Sequence, residues 1–194
     1  MALLNVLKQF NWVDIFFVII LIRTCYVAVK NGFPAELFRL LGIILAIYLS
    51  LHYYINFSDY IIGYAGAKNL PPEYLTFISF VVLVILGYLI FTLLGKVFSR
   101  FIKMEAIPNL NRWGSLILGI ARSFLLVSLL IFIFVIAPTG YFRNSVNNSY
   151  SGKRLFKIAP AAYTWLWNSI MSKFRTQEKF NDAILKVQAS PTEK

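Results

Sequence analysis

The segment LILGIARSFLLVSLLIFIF, residues 116–134, decides the fold of this chain because it has the length and composition of a membrane-spanning helix. Crossing the hydrocarbon core of a bilayer takes about 20 mostly apolar residues in helical conformation. The segment nevertheless carries Arg122 near its middle. An arginine at that depth costs about 3 kcal/mol even on the insertion scale that gives the lowest cost. We therefore predict a membrane helix whose arginine is compensated inside a helical bundle.

The composition of the whole chain also indicates a membrane protein. Of its 194 residues, 59% are hydrophobic and 14% are charged, and the mean hydropathy is +0.69; soluble domains are closer to half apolar. The net charge is +11, but the basic residues lie at the ends of apolar blocks and in the C-terminal tail. This distribution favours contact with anionic lipid headgroups over nucleic-acid binding. The single cysteine, Cys25, excludes an intrachain disulfide.

Four apolar stretches have the length of transmembrane helices, and we expect each of them to cross the membrane. They cover residues 12–29, 37–54, 74–94 and 113–137. Strands are disfavoured because the stretches are long and lack regularly spaced turn residues. The predicted fold is therefore all-α, a polytopic membrane protein with four transmembrane helices.

The segments outside the spans predict amphipathic helices at the membrane interface. Residues 96–106 combine an apolar and a basic face, which fits either a short interfacial helix or a plain basic loop. After a transmembrane domain over 1–140, we expect a flexible polar linker over 141–159, an amphipathic helix over 160–180 and a disordered tail over 181–194. One face of the amphipathic helix is formed by Tyr163, Trp167, Ile170, Met171 and Phe174.

The charges of the loops predict the orientation in the membrane. Loops one and three are the more basic, and the region between spans three and four contains Lys96, Arg100, Lys103 and Arg112. The positive-inside rule places these two loops in the cytoplasm, so both termini lie on the periplasmic side. The basic residues of the C-terminal tail oppose this assignment, although most lie beyond the roughly 15 residues over which the rule is strong.

Common catalytic and metal-binding motifs are absent from the sequence. It contains no HExxH helix, no paired-carboxylate motif and no GxSxG elbow. The one histidine, His52, lies near the outer end of span two, and we interpret it as an interfacial polar side chain. We therefore predict no enzymatic activity, no metal and no cofactor.

Small residues recur every fourth position on two of the spans, which lets helix backbones approach closely in lipid. These positions are Gly42, Ala46 and Ser50 on span two, and Ser115, Gly119 and Ser123 on span four. Two such seams predict that spans two and four contact each other. The same seams could instead serve a homo-oligomer.

The charged residues in or near the spans are the candidate functional residues. Arg122 lies about 14 Å into span four by helix rise, and Arg23 lies at similar depth in span one. Glu36, in the first turn of span two, is the best acidic partner for Arg122, and Asp14 is the second. Two interpretations stay open: a buried ion pair that fixes the register of the helices, or a polar path for an ion or solute lined by Asp14, Arg23, Glu36 and Arg122.

Three patches of sequence resemble the colicin V production protein family of bacterial inner-membrane proteins. They are FNWVD at 10–14, NGFPAELFRLLG at 31–42 with Gly32, Glu36 and Gly42, and NLNRWGSLILGIARSF at 109–124 with Gly114, Gly119 and Arg122. The resemblance covers roughly residues 9–150. Trp113 and Ser123 stand where the family pattern often has glycine.

This resemblance implies a four-span protein of the bacterial inner membrane with a role in producing or exporting the peptide toxin colicin V. It also implies a periplasmic C-terminal side, because such domains occur joined to periplasmic proteases. We expect a non-enzymatic accessory or scaffold with an unidentified membrane or periplasmic protein partner, contacted by the amphipathic tail helix. The alternatives are a small oligomeric channel or transporter, and a regulator of an envelope protease.

Overall fold

Four long helices form the body of the molecule. The computed structural model describes residues 11–64, 70–101, 108–174 and 178–189. The long helices are α1 (Trp12–Asn31), α2 (Phe33–Tyr64), α3 (Pro72–Phe101) and α4 (Pro108–Ile136). All four are long and apolar enough to cross a membrane, and the described residues contain no strand. The all-α fold with four candidate membrane helices is thus confirmed.

Helices α2 and α3 extend well beyond their predicted spans because a helix continues past the apolar stretch that identifies it. Helix α2 runs on through polar residues to Tyr64, and α3 runs on through Lys96 to Phe101. The first part of the segment 96–106 therefore continues span three and is not a separate interfacial helix. Residues 102–107 lie outside the described residues.

The turn between α1 and α2 is built around a glycine that no other residue could replace without strain. Gly32 has φ of 81°, in the left-handed region that favours glycine. A Cβ at Gly32 would also lie 2.7 Å from the side chain of Asn111. The Oδ1 atom of Asn111 accepts a hydrogen bond of 2.6 Å from the amide of Phe33. Helix α4 is thereby attached to the start of α2.

The predicted contact between spans two and four is confirmed, because α2 and α4 pack against each other, but the glycines of the two seams face other helices. Gly42 faces α3, where a Cβ would lie 3.1 Å from the carbonyl oxygen of Tyr88. Gly119 faces α1, where a Cβ would lie 2.5 Å from that of Ala28. Each seam therefore brings its helix close to a different neighbour.

The segment predicted to be a flexible polar linker is instead folded onto the bundle. It forms α5 (Gly140–Asn148) and α6 (Gly152–Leu155), and it buries Val146, Leu155 and Phe156. The turn-rich composition predicts flexibility, but two serines of the segment donate hydrogen bonds to the buried carboxylate of Asp14 in α1. A polar segment becomes ordered when its polar groups find such partners.

The C-terminal region continues through α7 (Ile158–Leu166), a π-helical segment (Trp167–Met171), α8 (Ser172–Phe174) and α9 (Ala183–Ala189). The tail predicted to be disordered over 181–194 is therefore helical over most of its described part, and Ile184 is buried. Residues 190–194 lie outside the described residues. Together, residues 140–174 and 178–189 cover one end of the bundle, and we refer to them as the C-terminal cap.

Aromatic rings join the bundle and the cap into one hydrophobic core. The ring of Phe132 stacks on Phe80 at 5.3 Å and on Phe156 of the cap at 5.6 Å. Ser128 of α4 accepts a hydrogen bond of 2.7 Å from the amide of Ala159 near the start of α7. The cap is therefore packed into the structure and is not a loosely attached tail.

Candidate functional site: a buried ion pair beside a basic groove

A carboxylate and an arginine meet in the interior of the bundle, as the sequence predicted. Atom Nε of Arg122 lies 3.1 Å from Oε2 of Glu36. Glu36 is completely buried and Arg122 is 5% exposed. The two atoms are close enough for an ion pair but are not aligned for a hydrogen bond. The contact joins α2 to α4 and is mainly electrostatic.

The carboxylate of Glu36 has a second cationic partner. Its Oε1 atom accepts a hydrogen bond of 2.8 Å from Nη1 of Arg39, one turn further along α2. Arg39 is partly exposed, with 25% of its side chain accessible. Glu36 thus bridges a buried and a partly exposed arginine. Removing one partner of a buried pair leaves an uncompensated charge, which is strongly destabilising.

A groove lies beside this pair, between α1 and α3, with α2 and α4 as its floor. It has a volume of about 740 Å³, within the range of roughly 300–1,000 Å³ that is common for ligand sites. Most of its lining is aliphatic and aromatic. Its charged lining residues, within the described chain, are basic: Arg23, Arg39, Lys96 and Arg122.

The basic residues of the groove lie towards the same end of the bundle. Arg23 is eight residues from the C-terminal end of α1, or about 12 Å by helix rise. Arg39 is six residues from the start of α2, or about 9 Å. Lys96 is five residues from the end of α3. These helix ends belong to the half of the bundle that carries loops one and three.

Asp14 lies at the opposite end of the bundle, so it is not a partner of Arg122. Its Oδ1 atom accepts hydrogen bonds of 2.8 Å from the hydroxyl of Ser149 and from the amide of Ser151, and another from the hydroxyl of Ser151. Its Oδ2 atom accepts from the amide of Asn11 at 2.8 Å, as part of the cap that starts α1. Asp14 thus fastens the C-terminal cap to the first helix.

A second polar cluster attaches the end of the C-terminal cap to α2, and we call it the histidine clasp. Atom Nδ1 of His52 lies 2.8 Å from the hydroxyl of Tyr163, and its Nε2 lies 3.2 Å from Oε2 of Glu178. The hydroxyl of Tyr53 donates to the same carboxylate at 3.0 Å. The interpretation of His52 as an interfacial side chain is therefore incomplete, because the ring is buried under the cap.

Asn181 completes the histidine clasp by satisfying the backbone of α2. Its side-chain amide donates a hydrogen bond of 2.7 Å to the carbonyl oxygen of Leu51. Its backbone amide donates to the hydroxyl of Tyr163 at 3.3 Å. Burial raises the pKa of the Tyr163 phenol to about 12, because the charged phenolate is disfavoured away from water. The phenol is therefore neutral over the physiological range.

No sequence motif indicates this cluster, because its members are far apart in the chain. Glu178 lies 126 residues after His52, and neither belongs to a recognisable motif. The described residues contain no group of three or more His, Cys, Asp or Glu side chains that could hold a metal ion.

Four helices able to cross a membrane, with a carboxylate–arginine pair buried between two of them, define a polytopic helical membrane protein. The chain belongs to the colicin V production protein family, which matches residues 13–174. The resemblance found from three sequence patches is thereby confirmed, and the match extends past residue 150 into the cap. No curated protein and no solved structure is significantly similar to the chain. Membership supports a role in colicin V production.

Proposed function

We propose that the protein acts in colicin V production or export as a non-enzymatic accessory or scaffold of the bacterial inner membrane. The observation that carries this proposal is the C-terminal cap, a folded surface attached to one end of a membrane-embedded bundle. Two separate polar clusters, around Asp14 and around His52, hold the cap in place. A rigidly presented surface outside the spans suits the contact with another protein.

The two faces of the predicted tail helix have different uses in this proposal. One face is buried against the bundle and includes Tyr163 and Trp167. Trp165 lies on the opposite face and is 63% accessible, whereas Phe174, which the helical spacing places on the face of Tyr163 and Trp167, is 82% accessible at the end of α8. Exposed aromatic side chains are typical of the centres of protein interfaces. We assign the contact with an unidentified membrane or periplasmic partner to Trp165 and Phe174.

The charges of the loops support an orientation with the cap in the periplasm. Lys30, Arg112 and the basic residues of the groove lie towards the end of the bundle that carries loops one and three. The cap and the start of α1 share the other end, where the side-chain amide of Asn11 donates to the carbonyl oxygen of Ser145 at 3.0 Å. The positive-inside rule then favours a cytoplasmic basic end and a periplasmic cap.

The alternative of a channel or transporter receives less support from the geometry. The four charges expected to line a path are divided between the two ends of the bundle. Asp14 is covered by serines of the cap, and packed aromatic rings such as Phe80 and Phe132 fill the bundle next to the cap. An envelope-protease regulator would use the same cap surface, so partner identity distinguishes it from the scaffold.

The proposal is tested in a colicin V-producing strain that lacks its own protein of this family. We expect the wild-type chain to restore toxin secretion, measured as killing of a sensitive lawn, and a Trp165→Ala/Phe174→Ala variant to fail at equal membrane level. The control is Tyr26→Ala/Trp113→Ala, which removes similarly exposed aromatic side chains from the spans. If cells with the variant retain the toxin, the protein acts in export. If the toxin is missing from both cells and medium, the protein acts at an earlier step of production. Full secretion by the cap variant overturns the proposed contact surface.

A further inference from the structure

The basic groove contains more positive charge than the surrounding side chains compensate. Arg23, Arg39 and Arg122 line it, and among the described residues Glu36 is the one carboxylate paired with them. Two positive charges are therefore left over among these four side chains. Arg23 forms no ion pair or hydrogen bond within the described part of the chain, although it lies in the middle of a candidate span. Charged groups at such depth need a counter-charge.

The rest of the groove is suited to a hydrocarbon chain. Beyond the arginines, its walls are formed by aliphatic residues of α3 and α4, including Val84, Ile85, Leu89 and Leu126. Ile85 and Leu89 are exposed at the surface of a membrane-spanning helix, so the groove opens sideways towards lipid and not only towards water. A ligand that enters from this side is already dissolved in the bilayer.

The geometry points to a binding site for an anionic phospholipid of the surrounding membrane. The phosphate lies among Arg23, Arg39 and Arg122, and an acyl chain lies along Leu89 and its aliphatic neighbours. Guanidinium groups bind phosphate through charge-assisted, often bidentate hydrogen bonds. Basic pockets between transmembrane helices on the cytoplasmic side are a recurrent form of lipid headgroup site.

Charge complementarity selects the lipid class. A zwitterionic headgroup carries its own cation and would leave the excess charge of the groove in place. A headgroup with net negative charge removes it. The buried Nε of Arg122 makes no hydrogen bond within the described chain, so its guanidinium retains donor capacity next to the groove. The site is at the opposite end from the C-terminal cap and is independent of the proposed protein contact.

Native mass spectrometry of the full chain in detergent micelles tests the phosphate part of the site. Phosphatidylglycerol and phosphatidylcholine with identical acyl chains are titrated separately. We expect phosphatidylglycerol to bind more tightly, and Arg23→Gln to weaken it about five-fold, from roughly 1 kcal/mol per basic residue. Because Arg23 has no described partner, its replacement leaves the bundle intact. Arg112→Gln, an exposed arginine outside the groove but at the same end, is the matched control.

A second pair of variants tests the acyl-chain part of the site. Leu89→Trp fills the groove, whereas Leu86→Trp adds the same bulk at an equally exposed position of α3 that does not line it. We expect only Leu89→Trp to lower retention of phosphatidylglycerol. Equal binding of the two lipids, equal loss in Arg112→Gln, or displacement of the lipid by excess glycerol phosphate each overturns the inference. The last result would indicate a site for a soluble phosphate compound.

Discussion

The two ends of this bundle handle buried charge in different ways. At the basic end, Glu36 compensates Arg122 and Arg39, and positive charge remains beside a groove that opens to lipid. At the capped end, Asp14 and His52 are covered by polar groups that the chain itself supplies from its last 50 residues or so. Charge inside one small membrane bundle can thus be compensated either by the chain itself or by its surroundings.

The largest effect is expected from breaking the buried ion pair. Glu36→Gln leaves Arg122 buried without its counter-charge, which costs about 3–5 kcal/mol and lowers the thermal midpoint in detergent by roughly 10 °C. Replacing both residues, in Glu36→Met/Arg122→Met, removes the charge as well as its partner and should recover most of the loss. A double variant as unstable as the single one would show that the pair has another structural role.

A smaller effect is expected at the capped end from Asp14→Asn. The amide has one acceptor oxygen, so its NH2 group faces a donor either at the serines of the cap or at the amide of Asn11, and we expect a loss of about 2–3 kcal/mol from charged hydrogen bonds. The loss should appear as faster proteolytic cleavage within 139–151, because the cap is released first. Asp59→Asn, an exposed acidic residue of α2, is the control and should leave cleavage unchanged. Unchanged cleavage in Asp14→Asn would contradict the anchoring role.

The histidine clasp should contribute less, because Glu178 is partly exposed, at 26% of its side chain. We expect Glu178→Gln to loosen residues 178–189 by about 1–2 kcal/mol, measured as faster hydrogen exchange in α9. Asp182→Asn, an exposed residue of the same segment, is the matched control. If α9 exchanges equally fast in both variants, the segment is held by its overall negative charge and not by the contacts of the histidine clasp.

The smallest effect at neutral pH is expected from Tyr163, because its titration changes stability only in the alkaline range. Its pKa is about 12 in the folded protein, against about 10 in an unfolded chain. Between these two pH values the folded state therefore keeps the phenol proton, whereas the unfolded chain has lost it. The associated stability is complete below about pH 10 and declines from there towards pH 12. Tyr163→Phe should reduce this decline in an alkaline titration followed by the fluorescence of neighbouring Trp167, and an unchanged profile would assign the decline to other groups.

Local patterns in the sequence predicted the features that arise within a single helix. The four candidate membrane helices follow from long apolar stretches, and the pairing of Arg122 with Glu36 follows from their depth and opposite charge. The sequence has few acidic residues near the depth of Arg122, so Glu36 could be identified as its partner by excluding the others.

Features that depend on distant segments were not predicted. The seam of Gly42 faces α3 and that of Gly119 faces α1, because small residues show that a helix is approached closely but not by which neighbour. The ordering of 140–159 depends on Asp14, more than 130 residues earlier in the chain. The sequence of a turn-rich segment does not show whether a distant acceptor such as the Asp14 carboxylate will order it.

The anchoring of Asp14 has a consequence for biosynthesis. Its Oδ1 atom is satisfied by Ser149 and Ser151, which are 135 and 137 residues downstream. At about 5–20 residues per second, the ribosome makes these serines on the order of ten seconds after the first helix. Until then the carboxylate has to stay hydrated at the membrane surface, so α1 is free to shift along the membrane normal. The position of the first helix is therefore fixed only after the fourth span and the start of the C-terminal cap have been made.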